Sequence, residues 1–315
     1  MTILITGIQG FVGSNLVESL KDNHLLYGLD IITTPKDSVE KIFLWKELNN
    51  LPQIDVIIHL AGKAHDLKNQ SLIQEYFDVN TELTKKIYDW FLKSDAKKFI
   101  FFSSVKAVAD FVEGDVLTED VEAKPVGPYG ESKREAELYI LSNLNNNLNF
   151  SKKTDSKQTY ILRPSMIHGK GNKGNLNLLF SVVKRGITWP LGAFDNKRSF
   201  TSIQNLQFII KSLIEKDVKG DIYNIADDEP VSTNDIIKII SKVLEKPIRI
   251  IKINKKYIYL FALIGTSLKL PFNKERLKKL TENYVVSNDK IKKALNIDTL
   301  PTSSHDGLKE TIRNF

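Results

Sequence analysis

The stretch "TILITGIQGFVGSNLVESL" (residues 2–20) decides the fold, because it joins a strand pattern to a helix pattern through glycine. Ile3 to Thr6 is apolar and strand-like, and Phe11 to Leu20 has the spacing of an amphipathic helix. The junction holds three glycines at three-residue spacing, Gly7, Gly10 and Gly13. A helix that starts there points its free backbone N–H groups beyond the strand end, where they attract anions. The stretch therefore predicts an anion site.

Strand-like and helix-like segments alternate through the first half of the chain. The predicted strands after the first are 25–30, 55–62, 98–104 and 159–164, and the predicted helices are 11–22, 71–93 and 129–143. Apolar runs such as "DVIIHLAG" (55–62) are typical of strands buried on both faces of a parallel sheet. Strands separated by helices predict an α/β fold with a doubly wound parallel sheet. From residue 165 the pattern loosens, with helices near 176–185, 203–215 and 233–245.

Composition excludes several classes of function. Hydrophobic residues make up 42% and charged residues 26% of the 315 residues, as in ordinary globular proteins. The chain has no cysteine and no visible signal peptide, so we expect a cytoplasmic protein. The net charge of +7 comes without a basic stripe or a known nucleic-acid module, so we expect no nucleic-acid partner. The five histidines have no metal-ligand spacing, and we predict no metal site.

One apolar segment, "YIYLFALIGTSLKLP" (257–271), resembles a membrane span at first sight. Its apolar core is shorter than the roughly 20 residues that a span requires. We therefore predict a packed helix and no transmembrane segment, with weak interfacial attachment to a membrane as the second interpretation.

An acidic residue closes the next strand and completes a dinucleotide pattern. Asp30 ends "LLYGLD" (25–30), 17 residues after Gly13. A carboxylate at this position accepts hydrogen bonds from a ribose 2′-OH and repels a 2′-phosphate, which favours NAD over NADP. The following segment "IITTPKD" offers only Lys36 as a partner for such a phosphate.

A second group of residues points to proton transfer. "PYGESK" places Tyr129 and Lys133 one turn apart on one helix face. A free tyrosine has a pKa of about 10, and a neighbouring ammonium stabilises the phenolate, so we predict that Lys133 lowers the pKa of Tyr129. "FFSS" ends a buried strand and brings Ser103 and Ser104 to the carboxyl edge of the sheet, where ligands of such folds bind.

Together these residues resemble the extended short-chain dehydrogenase/reductase family, and within it the nucleotide-sugar epimerase/dehydratase branch. The resemblance runs from residue 2 to about residue 300 and rests on motifs spread along the chain: TGIQGFVG (6–13), the Asp30 strand end, HLAG (59–62), Asn80, the strand-end serines, Tyr129-x-x-x-Lys133, LRP (162–164), KGN (173–175), KRSF (197–200) and YNIA (223–226). It implies a Rossmann-type sheet in a mainly NAD-binding domain (1–164). A smaller substrate-binding region (165–315) would be interleaved with the last strands.

The resemblance also implies a role for individual residues. The NAD-binding set would be Gly7, Gly10, Phe11, Val12, Gly13, Asp30, Leu60, Ala61, Gly62, Asn80, Tyr129 and Lys133. The catalytic set would be Ser104, Tyr129 as the base, and Lys133. The substrate would be a nucleotide-diphosphate sugar, held by Ser104, Asn175, Arg198 and Arg276, and in this subgroup also by Lys106 and His168.

Departures from the family pattern narrow the reaction. The family's 4,6-dehydratases carry an Asp–Glu pair after the catalytic residue, whereas this chain has Val105 and Lys106, so we expect no dehydration. The leading hypothesis is a UDP-hexose or UDP-N-acetylhexosamine 4-epimerase with a transient 4-keto intermediate. A 4-keto-sugar-nucleotide reductase of polysaccharide biosynthesis and a non-catalytic NAD-binding relative are the alternatives. A homodimer through helices 71–93 and 129–143 is expected, and a lipid diphosphate as sugar carrier stays open.

Overall fold

The chain forms a parallel sheet with helices on both faces, followed by a smaller helical part. A computed structural model describes residues 1–63, 72–147, 157–172, 176–270 and 272–315. The strands, β1 to β9 in chain order, are Thr2–Thr6, Leu25–Asp30, Lys41–Leu44, Val56–His59, Lys98–Phe102, Gln158–Pro164, Met166–His168, Phe200–Ser202 and Ile222–Ile225. The α-helices, α1 to α11, are Phe11–Leu20, Ile73–Phe77, Leu83–Lys93, Gly127–Asn147, Leu176–Lys184, Ile203–Glu215, Thr233–Val243, Lys255–Ser267, Lys274–Thr281, Asp289–Leu295 and Ser304–Arg313.

Seven of these strands make one sheet in the order β3-β2-β1-β4-β5-β6-β9, and every neighbouring pair is parallel. The predicted doubly wound sheet is confirmed. The direction of winding reverses between β1 and β4, which opens a crevice at the carboxyl ends of the strands. Thr6 is level with Leu29 of β2 and with His59 of β4, so the residues that follow these strands share one edge.

Two apolar layers hold the sheet between helices. One contains Leu16 and Leu20 of α1 together with the inner face of α6. The other contains Tyr88 and Phe91 of α3 and Ile140 of α4. A separate core joins α5, α7, α8 and α11 beside the small β7–β8 sheet. The two layers therefore hold the sheet whose carboxyl edge forms the crevice. The separate core holds together the smaller helical part.

The structure differs from the sequence prediction at several elements, and the small β7–β8 sheet was not predicted. β3 and β9, at the two ends of the sheet, were not predicted as strands. The helix predicted over 71–93 is present as one continuous segment from Ile73 to Lys93, in which a π-helical turn, Asp78–Glu82, joins α2 to α3; residue 71 lies outside the described residues. α8 occupies the apolar segment, and no helix in the described ranges is long and apolar enough to cross a membrane.

Candidate active site

The glycine loop between β1 and α1 is closely packed against the end of β4. Gly7 has φ +66°, and a Cβ there would lie 2.8 Å from the backbone N of Ala61. A Cβ on Gly13 would lie 2.7 Å from the carbonyl oxygen of Gly7. Gly10 is the N-cap of α1 and has no side chain to occupy the first N–H groups of the helix, including those of Phe11 and Val12. The loop therefore suits an anion that approaches the backbone closely.

Replacing Gly7 with alanine tests this packing. We expect Gly7→Ala to lower the free energy of unfolding by more than the about 1–2 kcal/mol that a left-handed backbone costs an L-residue, and to weaken NAD binding. Gly114 is a matched control, because it has φ +85° but nothing within 4 Å of its Cβ position. Urea denaturation and NAD titration of both variants provide the measurement. Equal losses of stability in the two variants would contradict the close-packing argument.

Asp30 is held beside the glycine loop by two backbone donors. Its Oδ2 accepts a hydrogen bond from the N–H of Gln9 at 3.0 Å, and its Oδ1 accepts one from the N–H of Ile31 at 2.7 Å. The sequence offered Lys36 as the one possible partner for a 2′-phosphate. Its Nζ instead donates to the Ile8 carbonyl at 3.2 Å and to Ser14 Oγ at 2.7 Å. Burial lowers the pKa of Lys36. The carboxylate of Asp30 thus keeps lone pairs that these two N–H groups do not use, and such lone pairs suit a ribose hydroxyl.

Asn80 closes the other side of the crevice from the π-helical turn. Its Oδ1 accepts from the N–H of Lys63 at 2.8 Å, and its Nδ2 donates to the Lys63 carbonyl and to Ser132 Oγ. A Cβ on Gly62 would lie 2.9 Å from Asn80 Oδ1. The turn therefore fixes the loop after β4, whose predicted cofactor residues are Leu60, Ala61 and Gly62.

A buried histidine ties these elements together and was missed by the sequence analysis. His59 Nδ1 lies 2.7 Å from Thr6 Oγ1, and its Nε2 lies 2.9 Å from Thr84 Oγ1. Burial lowers the pKa of His59 well below its usual range, so the ring is neutral. Thr6 Oγ1 also accepts from the N–H of Ala61, and Thr84 Oγ1 donates to the Asn80 carbonyl. Hydroxyls alternating with an imidazole thus connect β1, β4 and α3 beneath the crevice.

The two strand-end serines serve different partners. Ser103 Oγ donates to Glu137 beneath the sheet edge at 2.5 Å. Ser104 begins a short 3-10 turn, where its Oγ accepts from the N–H of Lys106 at 3.2 Å and also forms a hydrogen bond with Tyr129. Ser104 and Tyr129 are therefore in direct contact at the carboxyl end of β5.

Lys133 lies one turn further along α4 and points back into the sheet. Its Nζ donates to the Phe102 carbonyl at 2.8 Å, and burial lowers its pKa to about 8 against the opposing effect of Glu137. Burial raises the pKa of Tyr129, and the hydrogen bond with Ser104 acts in the opposite direction without reversing it. In this structure the phenol loses more solvation than its hydrogen bond with Ser104 replaces, and the lowering of the Tyr129 pKa by Lys133 stays a prediction.

The lowered pKa of Lys133 predicts a pH-dependent stability. Below pH 8 the ammonium is charged in both states, so folding carries its desolvation cost. Between about pH 8 and 10.5 the unfolded chain keeps a proton that the folded chain has released, so stability rises with pH. Relative to Lys133→Met, we expect the wild type to gain about 2–3 kcal/mol between pH 7 and pH 10, as measured by urea denaturation.

Lys85 provides the control for this comparison. A hydrogen bond with Glu82 raises the pKa of Lys85, so Lys85→Met should give a small change of the opposite sign. A flat difference between wild type and Lys133→Met across this pH range would show that Lys133 is not desolvated in the folded protein.

A buried ion cluster supports the helix that carries Tyr129. The carboxylate of Glu137 is fully buried and accepts from Arg163 Nε at 2.8 Å and from Arg163 Nη2 at 2.7 Å. Arg134 Nη1 donates to the same carboxylate at 2.9 Å, and Ser103 Oγ completes the set. Sequence analysis noted Arg163 only as part of the LRP motif and missed Glu137. The sequence feature that could have identified Glu137 is its position four residues after Lys133, on the same face of the same helix.

The predicted substrate residues are spread over two places. Lys106 lies beside Ser104 and makes an ion pair with Asp110 at 2.8 Å. Arg198 is largely buried, which lowers its pKa, and its Nη1 donates to the carbonyl of Lys279 in α9. Arg276 is exposed on the surface of α9. The structure thus does not gather Arg276 with Ser104 and Tyr129.

His168 lies apart from the other predicted substrate residues. His168 is fully buried, with its Nδ1 2.8 Å from Thr311 Oγ1 and its Nε2 3.7 Å from Asp227, so it joins β7 to α11 and has no surface for a ligand. Its predicted contact with substrate does not agree with this placement. Asn175 lies outside the described residues.

The arrangement combines a glycine loop at the start of α1, the Asp30 carboxylate beside it, and a serine–tyrosine pair with a buried lysine at one sheet edge. The model of the NAD dependent epimerase/dehydratase family matches residues 3–226. A UDP-glucose 4-epimerase of Vibrio cholerae is 30% identical over 337 aligned residues, covering 100% of this chain and 95% of that protein. An N-acetyl-alpha-D-glucosaminyl-diphospho-ditrans,octacis-undecaprenol 4-epimerase of Escherichia coli O157:H7 is 26% identical over 255 residues, covering 78% and 73%.

Among solved structures, the UDP-N-acetylglucosamine 4-epimerase from Bacillus cereus superposes with a TM-score of 0.74 at 20% identity. The superposition covers 99% of this chain and 98% of that chain. At this level of identity the likeness concerns the fold.

Proposed function

Because the chain belongs to the NAD dependent epimerase/dehydratase family, we propose that it is a 4-epimerase of a UDP-hexose or UDP-N-acetylhexosamine. The observation that carries the proposal is the direct contact of Ser104 with Tyr129 at the sheet edge that also holds the glycine loop. The curated relatives act at C4 by their names, which supports the choice of carbon.

The residues of the crevice fit the family's cofactor, NAD. Gly7, Gly10 and Gly13 leave room for a pyrophosphate at the start of α1, and Asp30 faces the position of the adenosine ribose. When bound, NAD+ supplies reversible acceptance of hydride and a positive charge beside the site. That charge favours the ionised form of a buried phenol.

The chain's own residues manage the proton and the geometry. Tyr129, as phenolate, accepts the proton of the sugar C4 hydroxyl and later returns it to the other C4 epimer. Ser104 holds the same oxygen by a hydrogen bond and keeps the phenol in place. Lys133, fixed by the Phe102 carbonyl, binds the nicotinamide ribose and contributes positive charge below pH 8. Oxidation and re-reduction at C4 leave no net redox change, so a retained cofactor suffices.

On the substrate side, cationic groups bind the diphosphate. We propose this role for Arg198, since a buried guanidinium forms strong charge-assisted hydrogen bonds with phosphate. Lys106 is placed to contact the sugar next to Ser104. Asn175 and Arg276 keep the roles that the family resemblance implies. The carrier is a nucleotide in the leading proposal, and a polyprenyl diphosphate is the alternative.

Two observations argue against dehydration and against a non-catalytic role. The residues after Ser104 are Val105, which is buried, and Lys106, which is paired with Asp110, so neither acts as the acid–base pair of a dehydratase. A non-catalytic relative has no need of a tyrosine buried against a serine. A 4-keto reductase would use the same residues but would consume reduced cofactor.

Chromatography of reaction products tests the proposal. Purified protein is incubated with UDP-glucose, UDP-galactose, UDP-GlcNAc or UDP-GalNAc without added cofactor, and the nicotinamide absorbance is followed. We expect interconversion of one C4 pair with no net change in absorbance. Consumption of added NADH with a 4-keto sugar nucleotide and no epimerisation would favour the reductase instead.

Quaternary structure is a second part of the proposal. α3 and α4 lie side by side, joined by the hydrogen bond from Tyr139 Oη to Asp89, and we propose that they pair with the same helices of a second copy. Analytical ultracentrifugation should then give the mass of a dimer, whereas a monomer at all concentrations would contradict the pairing.

A further inference from the structure

α8 turns an apolar stripe toward the outside of the protein. The exposed fractions of the side chains in the stripe lie between 46% and 65% for Tyr257, Leu260, Phe261, Ile264 and Leu268. Their spacing of three and four residues puts them on one side of the helix. The other side is fixed, since Ile258, Ala262 and Gly265 are buried against the rest of the chain. The apolar stripe therefore faces outward, because the opposite side of α8 packs against the rest of the chain.

The same region carries most of the protein's net charge. Residues 252–282, here called the α8–α9 surface, contain eight lysine and arginine residues and two glutamates, a net charge of +6 against +7 for the whole chain. Only Lys278 and Lys279 pair with those glutamates, at 3.9 Å and 2.6 Å, among the described ion pairs. An apolar stripe is thus surrounded by cations.

A cavity lies between the two helices of this surface. Its volume is about 320 Å³, and it is lined by one residue of α8 and by residues of α9 and the position that follows it. The lining residues are Tyr259, Lys274, Leu277, Lys278, Thr281 and Glu282. The lining combines an aromatic ring and an aliphatic side chain with two lysines and one glutamate, so the cavity is amphipathic with a net positive charge.

We propose that the α8–α9 surface binds an anionic lipid bilayer, with α8 lying in the plane of the interface. A helix with one apolar face, flanking lysines and aromatic residues has the composition of such interfacial helices. α8 has 13 residues, too few to span a bilayer. A second copy of the chain is a poor occupant, because it would bring another +6 surface against this one.

The surface is close to the candidate substrate end of the crevice. Arg198 donates to the carbonyl of Lys279 in α9, and the backbone of Arg198 pairs with Tyr284. The ring of Tyr284 lies 4.7 Å from Lys106 Nζ, next to Ser104. A bilayer under α8 and α9 would therefore lie on the side of the protein where substrate enters. The inference does not depend on the catalytic proposal.

Vesicle flotation tests the inference directly. The probes are vesicles of phosphatidylcholine alone and of phosphatidylcholine with about one third phosphatidylglycerol. We expect the wild type to float at least about tenfold more with the anionic vesicles at low salt, and to lose this preference at high salt because screening weakens exposed charge interactions. Equal binding to the two vesicle types, or no binding, would overturn the inference.

Two sets of variants locate the surface. L260Q/F261Q/I264Q removes the apolar stripe, and K274E/K278E removes cations, without touching buried side chains. Both should reduce flotation about tenfold or more, while L178Q, a change of an equally exposed leucine on α5, and K46E/K293E should not. Circular dichroism confirms folding. Variants that float like the wild type would contradict the assignment.

Trypsin digestion of the wild type in the presence of vesicles tests the same surface without variants. Anionic vesicles should slow trypsin cleavage after Lys255, Lys256 and Lys269 and leave cleavage elsewhere unchanged. If sedimentation instead shows that the apolar variants dissociate an oligomer and vesicles protect nothing, the surface is a protein interface and the proposal is wrong.

Discussion

Tyr129→Phe is expected to lower the turnover number by about 10²–10⁴-fold, the usual contribution of a positioned proton-transfer group, while leaving NAD binding nearly unchanged. The ring stays in place, so packing against the crevice is preserved, but the oxygen that takes the C4 proton is gone. Turnover is measured by chromatography of the sugar nucleotides and cofactor content by absorbance after denaturation. A variant as active as the wild type would refute the assigned role.

The control for this experiment lies on the same helix. Tyr139 donates its hydroxyl to Asp89 at 2.5 Å on the side of α4 that faces α3. Tyr139→Phe also removes one oxygen from a helical tyrosine, and we expect its turnover to stay close to that of the wild type. Loss of activity in both variants would indicate damage to α4 rather than loss of a base.

Glu137→Ala is expected to have the largest effect on stability. Its carboxylate is fully buried and is the acidic partner of Arg163, whose side chain is only 3% exposed. Removing one member of a buried pair leaves an uncompensated charge and typically costs about 3–5 kcal/mol. Ser103 would also lose its acceptor at the base of the site. Urea denaturation of the variant measures the loss.

Two comparisons separate charge burial from helix effects. Glu135 on the same helix pairs with Lys85 at 3.2 Å but is 47% exposed, so Glu135→Ala should cost about 0–1 kcal/mol. The double variant Glu137→Leu/Arg163→Met removes both charges and should recover most of the stability, since apolar replacements of a buried pair are often neutral. A double variant less stable than Glu137→Ala would contradict this account.

The sheet was predictable where its strands carry their own signal. Strands such as "LLYGLD" and "KFIFF" are mostly apolar, because the residues inside a central parallel strand are buried on both faces. β3 and β9 escaped prediction since each has four residues and lies at an end of the sheet. The π-helical turn escaped because it adds a residue without changing composition. It becomes visible only in the backbone of the folded chain.

The site was predictable for residues that belong to motifs and not for those that act through burial. The glycines, Asp30 and Tyr129 belong to motifs with characteristic spacing, so they could be identified from the sequence. The raised pKa of Tyr129 depends on how much solvent the fold removes, which no spacing contains. Glu137 and His59 were missed for the same reason, since their partners come from distant strands and helices.

β9 has a consequence for any attempt to divide the chain. It is contributed by residues 222–225 yet pairs with β6 along Ile161–Pro164. A fragment that stops at residue 164 would keep the pairing of β6 with β5 but would leave the other edge of β6, along Ile161–Pro164, without its partner strand. Such an edge invites association with other chains, so the fragment should precipitate, and the nucleotide-binding half should become tractable in isolation only when a replacement for this strand is supplied.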